Sequence, residues 1–192
     1  MMSRPKKQDT DNTKARALEA ADALLHQYGY LGVSMDAVAG AIGIRKASLY
    51  HHFPGGKDEL MMTIAERLIE YDADGFQRSI ESHQTARERL EAMADFIFSD
   101  RRQTDRVLRD ALRFMPEAHQ KSISEGFFRH LFSRVRATFE HGVTQGEFRA
   151  HDTELSAWAF LGLVSELNGE SNAARPDLAA RVVGMLVDGL HA

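Results

Sequence analysis

Between Ser34 and Phe53 two short helical patterns meet at a glycine, and neither carries enough apolar surface to be stable alone. Val38, Ile42, Ile44 and Leu49 fall where two steeply crossing helices share a core, and Ala39 is small where the second helix must approach. Gly43 sits at the turn, where the positive φ that reverses the chain meets no Cβ clash. The pattern is a helix-turn-helix. Its second half, Arg45-Lys46-Ala47-Ser48-Leu49-Tyr50-His51-His52-Phe53, is polar and basic and is the candidate reading helix.

Helical periodicity continues on both sides of this stretch. Residues 1–12 are polar, contain Pro5 and lack periodicity, which predicts a flexible arm with Arg4, Lys6 and Lys7 free to meet phosphates. Ala17, Ala20, Ala21, Leu24, Leu25 and Tyr28 share one face of a first helix from about Thr13 to Tyr28, ended by Gly29. Ser34 fits the N-cap of the next helix, and Asp36 in its first turn suits the helix dipole. Pro54-Gly55-Gly56 stops the reading helix. Asp58 and Glu59 then open a long fourth helix whose stripe, Leu60, Met61, Ile64, Ala65 and Leu68, continues to Phe76 and Ile80 past a weak point at Gly75.

Thr85-Ala86-Arg87-Glu88 is a capping box, so a fifth helix starts there with Leu90, Met93, Phe96 and Ile97 inward. A short sixth is expected near Thr104 to Phe114. Pro116 opens a seventh with Ile123, Phe127, Leu131 and Val135 in its stripe, Phe128, Phe132 and Phe139 alongside, and an end loosened by Gly142 and Gly146. Asp152 caps an eighth that is apolar all round through Ala157-Trp158-Ala159-Phe160-Leu161-Gly162-Leu163-Val164 and needs cover on every side. A ninth is expected from Pro176 to His191, with Leu178, Val182, Met185, Leu186 and Leu190 on its wide face. No strand pattern and no internal repeat occurs. The expected fold class is all-α, with about nine helices.

With 192 residues and 43% hydrophobic content, the chain can build one ordinary core or two small ones. It has no cysteine, which excludes a disulfide framework and a thiolate metal site. No apolar run approaches the ~20 residues that span a bilayer, and no apolar segment follows Met1-Met2-Ser3-Arg4-Pro5-Lys6-Lys7. A cytoplasmic protein with no membrane partner is expected. The net charge of −4 hides an asymmetry: residues 1–57 hold eight Lys/Arg against five acids, a net of +3, while residues 58–192 carry a net of −7. Phosphate attraction is needed only at a DNA-reading end, so this division fits a reader attached to a body that does not touch DNA.

Val38-Ala39-x-x-Ile42-Gly43-Ile44, then Ala47-Ser48-Leu49-Tyr50-His51-His52-Phe53, then Lys57-Asp58-Glu59-Leu60 resembles the TetR/AcrR family of transcriptional repressors. The likeness covers about the first third of the chain; the remainder is similar to that family in length and helical pattern. The resemblance implies a helix-turn-helix DNA-binding domain at residues 13–56 and a ligand-binding and dimerisation domain at 57–192. A reading helix enters the major groove with its first residues nearest the bases, which makes Arg45 and Lys46 candidates for base or phosphate contact. Ala47 and Ser48 follow, small enough for close approach. By the resemblance Tyr50, His51 and Lys57 contact phosphates, and Ser34 and Met35 touch the opposite strand. Two departures stand out: Arg45 occupies the position where relatives carry a Ser or Thr cap, and Gly55-Gly56 is one residue longer than the common loop.

The resemblance further implies double-stranded DNA as partner, a palindromic operator bound by a homodimer through the last two helices, and a small-molecule inducer that releases it. Small Ala157, Ala159 and Gly162 independently suit close helix approach between subunits, although the same helices could simply close a monomer core. Phe96, Arg113, Phe114, Met115, His119, Phe127, Phe128, His130 and Trp158 are the candidate lining of an inducer pocket for an apolar or amphipathic ligand; such a stripe also serves as plain core. No cofactor, metal site or catalytic residue is expected. His-Glu-x-x-His, Gly-x-Ser-x-Gly and Glu-x-x-His are absent, and Gly55-Gly56-Lys57 lacks the leading glycine and following Ser/Thr of a phosphate loop. A helical interaction module without DNA binding is the remaining alternative, and the joint presence of Arg45, Lys46, Tyr50 and Lys57 speaks against it.

Overall fold

The computed structural model describes residues 7–99, 112–168, 175 and 177–188, with side chains from Asn12 onward. Among the described residues every regular element is helical: α1 (Lys7–Gly32), α2 (Met35–Ile42), α3 (Lys46–His52), α4 (Gly56–Ser82), α5 (Ala86–Ser99), α6 (Glu117–Phe127), a π-helical turn (Phe128–Phe132), α7 (Ser133–Thr144), α8 (Thr153–Leu167) and α9 (Leu178–Val187). They pack as two compact units. The first comprises the described residues of Met1–Arg67 and Thr104–Ile123, the second those of Leu68–Gln103 and Ser124–Ala192. The division therefore falls within α4, and the first unit takes in residues from the middle of the chain.

In the first unit α1, α2 and α3 pack on one another over Ala17, Leu18, Ala21, Leu25, Val38, Ala39, Leu49 and Phe53. The helix begins at Lys7, so residues 7–12 are not the expected arm; Arg4 and Lys6 lie outside the described residues. Gly29 breaks the helical path with φ 68°, as its position predicts, and the chain resumes helical turns to Gly32. The break redirects the aromatic residues around it. Tyr28, expected in the core, is 58% exposed, and Tyr30 takes the buried position instead.

The second unit is built on one apolar cluster joining α5, α7, α8 and α9, with Leu90, Met93, Val135, Phe139, Phe160 and Val183 fully buried or nearly so. The predicted capping box is present: the Glu88 amide donates to Thr85 Oγ1 at 3.2 Å and the Thr85 amide to Glu88 Oε2 at 3.0 Å. Donation from the Thr85 amide, then from its side chain, holds the Glu88 carboxyl below its ordinary range. Glu147 completes the start of α5 by accepting from the Ala86 amide at 2.8 Å, a cap from 61 residues away that local sequence could not reveal. Gly75 is buried rather than weak. A Cβ there would lie 2.2 Å from Phe96 Cζ, so the missing side chain is where the Phe96 ring rests against α4. Gly142 likewise admits Phe148, whose Cδ2 would stand 2.3 Å from an added Cβ, and so tightens the end of α7 that sequence alone marked as loose.

The expected long seventh helix is continuous but not uniform. The π turn widens it by one residue, which lets the adjacent Leu131 and Phe132 both enter the core, an outcome that 100° spacing disfavours. The expected sixth helix lies mostly outside the described residues, of which Leu112, Arg113 and Phe114 are helical. α9 buries Leu178 and Val182 as expected, but Met185 is exposed; Pro176, Leu190 and His191 lie outside the described residues. α8 buries only Ala157, Phe160 and Val164, leaving Leu155, Trp158 and Gly162 exposed along its other side.

Gly75→Ala should cost about 1–3 kcal/mol by forcing the Phe96 ring off α4, read as a lower urea midpoint with an unchanged slope.

Candidate nucleic-acid interface

The turn between α2 and α3 determines how the candidate reading helix is presented. Gly43 adopts φ 71°, ψ 33°, its amide donating to the Gly40 carbonyl at 3.2 Å while the Ile44 amide reaches the Ala39 carbonyl at 3.0 Å. This pair of bonds closes the end of α2 and turns the chain within two residues. Nothing lies within 4 Å of a Cβ added at Gly43, so backbone conformation rather than space demands glycine. Arg16 of α1 donates to the Ile42 carbonyl at 2.7 Å and satisfies a further acceptor there. That guanidinium, which counts toward the basic balance of the amino-terminal stretch, is therefore spent on the scaffold.

At the other end of α2 Ser34 is the cap, accepting from the Ala37 amide at 3.1 Å. Met35 is only 5% exposed; its side chain belongs to the core and does not stand on the outer face where a strand contact was expected. α3 has seven residues, of which only Leu49 is buried; Lys46, Ala47, Ser48, Tyr50 and His51 are exposed. A helix this short holds its shape through packing, and Leu49 with the fully buried Phe53 supplies it. Arg45 stands at the cap position in extended conformation and makes no side-chain cap hydrogen bond, consistent with the departure seen in sequence.

Charges on this face are unevenly committed. Lys46 donates to Asp36 Oδ2 of α2 at 2.7 Å, and that bond raises its pKa above the usual lysine value. Lys57 donates to the Tyr30 carbonyl at 2.6 Å and lies 4.0 Å from the Tyr30 ring centre; burial pushes its pKa down against the pull of Asp58. A phosphate contact by Lys57 would require it to leave that carbonyl. His51 and His52 meet edge to face at 5.8 Å, and burial, then the neighbouring His51 and Lys14, lower the pKa of His52. Glu59, not singled out as a cap in sequence, accepts from the Gly55 amide at 2.7 Å and steadies the extended loop before α4.

Tyr30 is the residue that sequence reasoning missed in this unit. Its ring stacks on Phe114 at 5.9 Å and 10°, its hydroxyl donates to Asp58 Oδ1 at 3.2 Å, and its carbonyl holds Lys57. Burial first, then the Asp58 charge, raises the pKa of its hydroxyl. The only signal available was an aromatic residue directly after a helix-ending glycine.

The nine candidate ligand residues divide between the units. Arg113, Phe114, Met115 and His119 belong to the first, where Arg113 lies over the Phe114 ring at 5.5 Å and Met115 is buried. Phe96, Phe127, Phe128, His130 and Trp158 belong to the second. Phe96 packs on Phe76 and Tyr71 with ring centres 6.4 and 5.5 Å away, a core position. Phe127, Phe128 and Trp158 gather with Phe132, Trp158 lying 4.8 Å from Phe132, 5.4 Å from Phe128 and 6.4 Å from Phe127. Phe128 and Trp158 remain partly open, which makes this group the strongest apolar surface of the set. Among the described residues no three His, Asp or Glu gather in a metal-binding group, and no helix is long and apolar enough to cross a membrane.

Comparison with known proteins covers both halves of the chain. The family described as "Bacterial regulatory proteins, tetR family" matches residues 17–63, and "Tetracyclin repressor-like, C-terminal domain" matches residues 83–190. The chain is 24% identical over 178 residues to the "Uncharacterized HTH-type transcriptional regulator YhgD" of Bacillus subtilis, covering 91% of this chain and 92% of that one. Among solved structures it shares its fold with AibR in complex with isovaleryl coenzyme A and operator DNA, at TM-score 0.76 and 23% identity over 91% of this chain and 98% of the other. It shares it equally with FadR from Bacillus subtilis in complex with stearoyl-CoA, at TM-score 0.76 and 20% identity over 92% and 99%.

Gly43→Ala should destabilise the protein by about 1–2 kcal/mol through the left-handed backbone alone, measured by chemical denaturation.

Proposed function

We propose a concrete mechanism for this chain, which belongs to the tetR family of bacterial regulatory proteins: it is a cytoplasmic, ligand-responsive transcriptional repressor and not an enzyme. Residues 13–56 read DNA and residues 57–192 bind the inducer and the second subunit. The observation that carries the reading is α3, a helix anchored by Leu49 and the adjoining Phe53 with five exposed residues facing outward. Arg45, Lys46 and Ser48 approach bases and phosphates, Ala47 lets the backbone come close, and Tyr50, His51 and the exposed Ser34 hold the phosphate backbone.

A single seven-residue reader recognises too few bases for a regulator, and a twofold pair spaced about one helical turn, ~34 Å, binds both halves of a palindrome together. The exposed side of α8 supports this pairing: Leu155 and Gly162 are exposed, and nothing lies within 4 Å of a Cβ added at Gly162. Burying that apolar strip against its twin removes it from water.

The inducer is an amphipathic molecule, and acyl-coenzyme A esters are the class to test first, because structural neighbours were solved with isovaleryl coenzyme A and stearoyl-CoA. The half-open group of Phe127, Phe128, Phe132 and Trp158 offers apolar surface of the kind an acyl chain buries. Release requires that the ligand bind the DNA-competent and released states with unequal affinity.

Purified protein should bind a palindrome near its own gene far more tightly than a scrambled duplex in an anisotropy titration at fixed salt, and an acyl-coenzyme A should loosen that complex. Equal binding to both duplexes would sink the regulator reading; indifference to a range of acyl chains would sink the ligand class only. Gly162→Phe should yield monomers with weak operator binding, and dimers of unchanged stability in sedimentation would refute the proposed interface.

A further inference from the structure

Asp36 is the only acidic residue between Ser34 and Lys57, and it stands on the face assigned to a polyanion. Its side chain is 70% exposed and that of Lys46 49%, yet the two meet at 2.7 Å across the turn from α2 to α3. Lys46 and Arg45 are adjacent cations at the start of α3. Among the described residues Arg45 forms no intramolecular pair, so one of the two charges is free and the other is held.

We propose that Asp36 is an affinity-setting residue of the DNA-reading face, which takes the Lys46 ammonium out of the phosphate-binding set in the free protein. The proposal rests on the DNA-binding reading above and names a residue that tunes it. Each lysine that meets a phosphate releases a condensed counterion, so binding without base information scales with the number of free cations. Lys46 can join that set only by giving up Asp36, and the carboxylate it leaves then faces phosphates uncompensated. Both effects weaken attachment to arbitrary DNA. At an operator, base contacts are added to the phosphate contacts, so the protein keeps a useful affinity there while its sequence-independent binding stays low. Position 36 is the second residue of α2, behind a Ser34 cap that remains in place when the charge is removed.

The test is a double-mutant cycle of Asp36→Asn and Lys46→Gln in the full-length protein, titrated against a scrambled duplex and against the operator over a range of salt. Asp36→Asn should tighten binding to the scrambled duplex about two- to fivefold. It should also steepen the fall of log K with log salt by up to about 0.9, one further counterion. In the Lys46→Gln background the gain should shrink to the part owed to the carboxylate's own repulsion of phosphates, and the extra counterion should vanish from the salt slope. A full gain that persists without Lys46 would overturn the proposal, since Asp36 would then be acting only as a surface charge. Unchanged affinity and slope on Asp36→Asn, with thermal stability preserved, would also overturn it. Wild-type protein that binds both duplexes alike defeats the operator reading but leaves the cycle informative; wild-type protein that binds neither defeats both.

Discussion

Burial of Leu49 and Phe53 is the contact on which the reading surface depends. A seven-residue helix in water does not persist by its own hydrogen bonds, because nucleation costs more than so few of them return. Leu49 and Phe53 are both fully removed from solvent against α1 and α2, and they anchor α3 from one side and from its end. Only because that anchoring is so narrow can Lys46, Ala47, Ser48, Tyr50 and His51 all remain outside. The left-handed turn at Gly43 and the Arg16 bond to the Ile42 carbonyl hold the angle at which this small anchor works.

The first unit is not closed by its amino-terminal helices alone. Residues 112–123 pack within it, and Phe114 stacks on Tyr30, whose carbonyl and ring together hold Lys57 at the first turn of α4. Tyr30 therefore ties the end of α1, the start of α4 and a segment from the middle of the chain into one packing group. Lys57 pays the desolvation that lowers its pKa in exchange for a carbonyl and an aromatic face. In the free protein this lysine is engaged by the scaffold.

In the second unit the π turn reconciles two demands on one helix. Leu131 and Phe132 enter the core, while Phe128 stays half open beside Trp158. The close approaches at Gly75 and Gly142 replace side chains by neighbouring rings, so the aromatic residues set how near the helices come. α8 keeps Leu155 and Gly162 on a side that is exposed among the described residues.

Sequence alone determined the helix-turn-helix, the Ser34 and Thr85 caps, the break at Gly29 and the burial of Val38, Ala39 and Leu49, because each follows from local backbone preference or from 3.6-residue spacing. It also marked Arg45 as a cap position lacking a cap. It could not show that Met35 is inside and Tyr28 outside, since both lie on apolar stripes and only the chain direction after Gly29 and the packing of α2 separate them. Nor could it show which charges are free. Lys46, Lys57 and Arg16 read alike as basic residues near a DNA-binding motif, and their partners Asp36, the Tyr30 carbonyl and the Ile42 carbonyl lie 10 to 27 residues away in the chain. Pairing over such separations is a property of three-dimensional packing, so only the tertiary structure decided that Arg45 is the open charge at the start of the reading helix.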